Sequence, residues 1–133
     1  MPIQYEKEPL RIPFWESIIE LTNSFKVVSA GNEDYIEIRP PVGETWFIFL
    51  FASVRKKDVN NNYVALDTNT RIWVWSSDGV SAYDIQGSSD AKRALNVQFA
   101  GVLTNDKYIR VYAKNEGTDY DIYLYLHYSG FKL

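Results

Sequence analysis

The sequence predicts an antiparallel all-β sandwich, and three observations carry that prediction. About nine short runs of apolar or alternating residues follow one another, each closed by Gly, Pro, Asn, Asp or Ser. Several of them alternate strictly at period 2, as half-buried strands do. Only one stretch has helical periodicity, and it precedes all the strands, so the crossover helices of a parallel sheet are missing.

That stretch follows an arm punctuated by Pro2, Pro9 and Pro13. Proline joins neither a helix interior nor a central strand, so an extended arm is expected. Pro13 suits a first helical position. After it, Phe14, Ile18, Leu21 and Phe25 recur at i, i+4, i+7 and i+11, which predicts a short amphipathic helix over 13–22. Its apolar stripe would cover one end of the β core or serve as a docking peg. The chain is therefore divided into an arm and helix over 1–23 and a β-sandwich domain over 24–133.

Strands are expected at 24–29 and 34–39, joined through the turn Ala30-Gly31-Asn32-Glu33. Pro40-Pro41-Val42-Gly43 then breaks the chain. Residues 45–55 are apolar on both faces, Phe47, Phe49 and Phe51 against Trp46, Ile48 and Leu50. Such a strand is covered on both sides, by two layers or by one layer and a partner subunit. Shorter strands follow at 63–66 and 70–75, and the Asp78-Gly79 step marks a hairpin into 80–86. The last three strands are expected at 95–100, 107–113 and 121–133. The strands over 45–55 and 121–133 are too apolar for edges and are expected to be central.

Composition narrows the function. A chain of 133 residues holds one two-layer core. A net charge of −3 argues against a phosphate-backbone binder, so no nucleic-acid partner is expected. The basic clusters Arg55-Lys56-Lys57 and Lys92-Arg93 read as solvated turn charges. The most apolar window, 46–54, is far shorter than the roughly 20 residues of a membrane helix, so no membrane insertion is expected. The absence of cysteine removes disulfides, thiolate metal sites and cysteine nucleophiles.

No catalytic set emerges. His127 is the only histidine and no Gly-x-Ser-x-Gly elbow exists, so a nucleophilic triad has no support. Asp119, Asp121, Glu33, Asp34 and Asp58 lack calcium-loop spacing and read as turn and strand-end residues. Carboxylates about 5–9.5 Å apart can come from any two strands, which keeps a glycosidase as a third reading. The reading assigns no catalytic, metal or cofactor-binding residue.

The aromatic residues carry the remaining signal: ten Tyr and four Trp, 16% aromatic with Phe. In 121–133, Ile122, Leu124, Leu126 and Tyr128 alternate with Tyr123, Tyr125 and His127, continuing to Phe131. In 107–113, Ile109 and Val111 alternate with Tyr108, Arg110 and Tyr112. In 70–75, Ile72 and Val74 alternate with Arg71, Trp73 and Trp75. A face that should be wet is aromatic, which suits an interface or a sugar-stacking platform. If the last two strands share a sheet, Tyr108, Tyr112, Tyr123 and Tyr125 merge into one stripe, the expected contact of a homotrimer. Trp73 and Trp75 are the candidates for stacking on a glycan.

Two resemblances add to this. The end of the chain, His127-Tyr128-Ser129-Gly130-Phe131-Lys132-Leu133, resembles the closing strand of tumour-necrosis-factor and complement-type trimeric heads. Asp34-Tyr35-Ile36-Glu37-Ile38-Arg39-Pro40-Pro41-Val42-Gly43-Glu44-Thr45-Trp46, with Tyr108-Ile109-Arg110-Val111 and Tyr128-Ser129-Gly130, is similar to small β-rich structural proteins of viruses and phages. Both imply a sandwich of jelly-roll type without chemistry of its own. The expectation is a non-enzymatic structural or attachment protein of the virion (a capsid, spike or decoration subunit), with other virion proteins and a host glycan as partners. The alternative is a carbohydrate-binding module.

Overall fold

Alternation of side chains dictates a two-layer arrangement, and hydrogen bonding divides the strands into two antiparallel sheets. The structure, a computed structural model, describes residues 17–133. Its strands are β1 (Ile18–Val28), β2 (Glu33–Ile38), β3 (Thr45–Lys57), β4 (Tyr63–Val64), β5 (Arg71–Ser76), β6 (Gly79–Ile85), β7 (Ala94–Thr104), β8 (Ile109–Lys114) and β9 (Ile122–Lys132). One sheet runs β1-β9-β3, and the far edge of β3 is shared by β7 along most of its length and by β4 at Lys56 and Lys57. The other runs β2-β8-β5-β6. The expected central strands are central: β3 lies between β9 and β7, and β9 between β1 and β3.

The core fills the space between the sheets. Ile48, Leu50, Ala52 and Val54 of β3 and Ile122, Leu124 and Leu126 of β9 are buried from one side. Ile72 and Val74 of β5 and Ile109, Val111 and Ala113 of β8 are buried from the other. Each fully buried aliphatic side chain contributes about 1.5–3 kcal/mol relative to exposure. The period-2 pattern thus sends every second residue inward, Trp46, Phe99 and Tyr128 among those packed against the core, and leaves Trp73, Tyr112, Tyr123 and Tyr125 on the outward register.

Two glycines serve the geometry. Gly43 takes a φ of +86° in the turn between β2 and β3, where the Glu44 N–H donates to the Pro41 carbonyl at 3.0 Å. A third turn position with positive φ is the glycine position of a type II turn. Gly130 is buried where β9 pairs with Ile48 and Ile19, and an added Cβ would collide with the Phe47 carbonyl oxygen.

The N-terminal expectation needs correcting. Residues 18–22 of the expected helix belong to β1, which pairs with β9 from Ile18↔Phe131 to Val28↔Ile122 around an irregularity between Ile19 and Thr22. An apolar run flanked by β-branched residues fits both periods, and the ladder offered by β9 decides for strand. β1 also crosses the expected boundary at 23/24. The arm and the start of the expected helix, residues 1–16, lie outside the described residues.

Candidate binding faces

Two outward faces result, and they differ in chemistry. On the sheet β2-β8-β5-β6, Tyr35, Tyr112, Trp73 and Tyr83 are direct cross-strand neighbours and form one aromatic row across all four strands. Trp73 and Tyr112 are stacked, with centroids 5.1 Å apart and planes 4° from parallel. Tyr35 leans on Tyr112 at 5.1 Å. Glu33, Lys114, Arg71 and Ile85 form the row on one side, and Glu37, Arg110, Trp75 and Val80 the row on the other.

Arg110 organises the second of these flanking rows. It donates to the Tyr112 hydroxyl at 3.3 Å and pairs with Glu37 at 3.0 Å. Those two contacts, the Tyr112 hydrogen bond first, hold its guanidinium above the usual arginine value. Its charge also lies 4.4 Å from the Tyr35 ring and 5.6 Å from Trp75. Trp75 meets Tyr108 edge-on at 6.0 Å, and Arg39 caps Tyr108 at 4.0 Å. These neighbours engage Trp75, whereas Trp73 lines a pocket of about 250 Å³ with Glu33, Arg71, Val80 and Tyr83.

The outward face of β1-β9-β3-β7 is apolar and almost without charge. Its rows read Phe47, Phe131 and Val102; then Phe49, Ser129 and Ala100; then Phe51, His127, Asn23 and Gln98; then Ser53, Tyr125, Phe25 and Asn96. The paired positions of these rows hold no acidic or permanently basic residue; Glu20 lies exposed in the β1 irregularity at the edge, and the next row brings Arg55 against Tyr123. Leu21, Phe25, Phe49 and Val102 are each at least half exposed. His127 bonds Asn23 through its Nδ1, which makes it a polar member of this face. At the charged end, Lys57 lies 4.9 Å from the Tyr123 ring and 5.1 Å from that of Tyr63.

The four tyrosines expected to form one stripe are therefore separated. Tyr112 lies in β8 and Tyr108 just before it, on one sheet, while Tyr123 and Tyr125 lie in β9, on the other. The segment between β8 and β9 crosses from sheet to sheet instead of making a hairpin. Asn115 holds that crossing: its fully buried Nδ2 donates to the carbonyls of Val28 at 3.0 Å and Tyr120 at 2.9 Å, and its Oδ1 accepts from Gly117 N–H at 2.9 Å.

Basic residue Lys56, read from the sequence as a solvated turn charge, is buried within β3. Its ammonium lies 2.7 Å from Asp67 and 3.0 Å from Asp119. Burial pulls its pKa down, but the hydrogen bonds and charges of the two aspartates outweigh that and leave it raised. The cluster ties two loops to the end of the sandwich. Among the described residues, no three His, Asp or Glu side chains converge as a metal site requires.

Sequence reasoning missed Tyr35 and Tyr83 in the aromatic row and Phe25 and Val102 on the opposite face. The signal for Tyr35 was present: Tyr35 and Glu37 alternate with Ile36 and Ile38 as Tyr112 and Arg110 do with their neighbours. Comparison with protein-family models and with curated proteins returns no match for this sequence.

Proposed function

We propose that this chain is a non-enzymatic structural or attachment subunit of a virus-like particle, built as a jelly roll and assembling through the outward face of β1-β9-β3-β7. The single observation that carries the reading is that face, four rows of Phe, Val, Ala, Tyr125, His127 and uncharged polar residues whose paired positions hold no acid, lysine or arginine, with Glu20 in the β1 irregularity at its edge. A solvated sheet face alternates with charge; one that excludes charge is suited to being covered.

The occupant we assign is a second copy of the chain. Four strands about 4.8 Å apart and roughly 20 Å from the first row to the fourth give a footprint near 400 Å², about half of the ~800 Å² per partner of a stable interface, the rest coming from flanking side chains. Closed symmetry would then hide the face from further association. A trimer, as the likeness to trimeric heads implies, is the stoichiometry we assign. With the two-residue β4 set aside, the strand orders 1-9-3-7 and 2-8-5-6 support the jelly roll, since two interleaved four-stranded sheets follow from two Greek keys. The Pro-Pro-x-Gly-Glu-x-Trp segment supports the viral likeness, because it carries the chain from β2 in one sheet to β3 in the other.

Light scattering of the purified chain tests this. The expected mass is three times the 15.4 kDa chain, falling to that of one chain in Phe49→Lys with Val102→Glu. A monomeric wild type at tens of micromolar, or a mass unchanged by the double substitution, overturns it.

A further inference from the structure

The pocket on the opposite sheet has a composition that packing alone does not require. Tyr112 covers one face of the Trp73 indole, on the β8 side. The other face turns toward β6, where Tyr83, about half exposed, stands directly across the ladder. Between the two rings opens the 250 Å³ pocket. Drug-sized sites run to about 300–1,000 Å³, so this one suits a single ring.

Its polar groups are uncommitted. Arg71 lies over the Trp73 ring at 5.5 Å, and its buried Nε has no hydrogen-bond partner. Buried donors in native proteins nearly always have partners, and an orphan in a pocket is a candidate for a ligand's acceptor. Glu33, the acidic residue of the pocket, makes no ion pair among the described residues. The lysine between them in register, Lys114, is engaged by Glu116 at 3.1 Å instead. The pocket thus presents an aromatic wall, one set of donors and one set of acceptors, with opposite charges that cancel.

We propose that the slot between Trp73 and Tyr83 binds one neutral pyranose ring of a glycan. The C–H face of the sugar packs into the space between Trp73 and Tyr83, beside the Arg71 guanidinium that lies over the Trp73 ring; Arg71 donates to its hydroxyls and Glu33 accepts from them. An anionic ligand meets Glu33 and a cationic one meets Arg71; a polyhydroxylated ring satisfies both. Trp75, held by Arg110 and Tyr108, takes no part. This site lies on the sheet opposite the assembly face, so an oligomer formed there leaves it open.

Titrations of the full chain with methyl β-D-galactopyranoside and methyl β-D-glucopyranoside, read by tryptophan fluorescence and saturation-transfer NMR, test the assignment. At least one glycoside should bind saturably in the millimolar range. Arg71→Met and Trp73→Phe, which keep the stem or the ring and hence the sheet, should weaken that binding about fivefold or more, roughly 1 kcal/mol by the affinity relation. Trp75→Phe should leave it within about twofold. Absence of saturable binding by both glycosides overturns the site. So does an equal loss in Trp75→Phe, and tighter binding of methyl β-D-glucuronide than of the glucoside overturns the neutral class.

Discussion

Lys56 and Asp67 meet at 2.7 Å across the open end of the sandwich, with a lysine that is nearly fully buried and an aspartate that keeps a third of its side chain in water. Asp119 completes the cluster from the segment that leads into β9. The lysine is the desolvated partner, so its removal leaves two carboxylates that water can still reach. Lys56→Met should therefore cost about 2 kcal/mol, below the 3–5 kcal/mol of breaking a fully buried pair. Urea unfolding at neutral pH measures it.

The same cluster gives stability a pH dependence at both limbs. The Lys56 hydrogen bond is the main cause that lowers the Asp119 pKa below 3.8, so its stabilisation is present above that value and is lost as pH falls through the lowered one. Lys56 is raised above 10.5, so its stabilisation holds below that pH and is lost as pH climbs through the raised value. Melting temperatures from pH 2 to 12 should fall at both ends in the wild type. Both limbs should flatten in Lys56→Met.

Stacking between Trp73 and Tyr112 should appear as a coupling energy. Parallel rings at 5.1 Å are worth about 0.5–1.5 kcal/mol beyond their buried area. A double-mutant cycle with Trp73→Leu and Tyr112→Leu should return a value in that range. The same cycle built on Trp73 and Tyr123, which lie on different sheets, should return about zero, since distant sites add.

Gly130→Ala should be among the most destabilising single substitutions in the chain. Its methyl group would press on the Phe47 carbonyl oxygen and come within 2.9 Å of the Ile48 Cα, both backbone atoms of the neighbouring strand. A backbone shift at the β9–β3 ladder is the only relief, and overpacking of that kind costs about 1–3 kcal/mol. The thermal midpoint should drop, and amide exchange should quicken first in β9.

Asn115→Leu should loosen the crossing between the sheets. The carbonyls of Val28 and Tyr120 each lose a buried donor, at about 1–3 kcal/mol for an unsatisfied buried group. Hydrogen exchange should rise at Gly31, whose N–H donates to the Asn115 carbonyl. The aromatic row centred on Tyr112 should stay protected.

Strand existence was legible because it is a local property. Period-2 alternation in Ile109–Lys114 and Ile122–Lys132 names the inward residues of each strand whatever lies beside it. The same holds for the turn at Gly43 and the apolar excess of β3, which marked both a central strand and a face awaiting cover. What alternation does not carry is which sheet a strand joins. Tyr112 and Tyr125 have the same local signature and point outward on different sheets, because a buried Asn115 bonded to Val28 and Tyr120 carries the chain across. Residues 18–22 likewise fit a helix by spacing and became strand because β9 offers a ladder. Tyr35 and Tyr83 joined Trp73 only through register. A sequence sets the faces of its strands by itself, since adjacent side chains must point opposite ways. Which faces merge into a site depends on hydrogen bonds between segments far apart in the chain, and only the tertiary structure decides those.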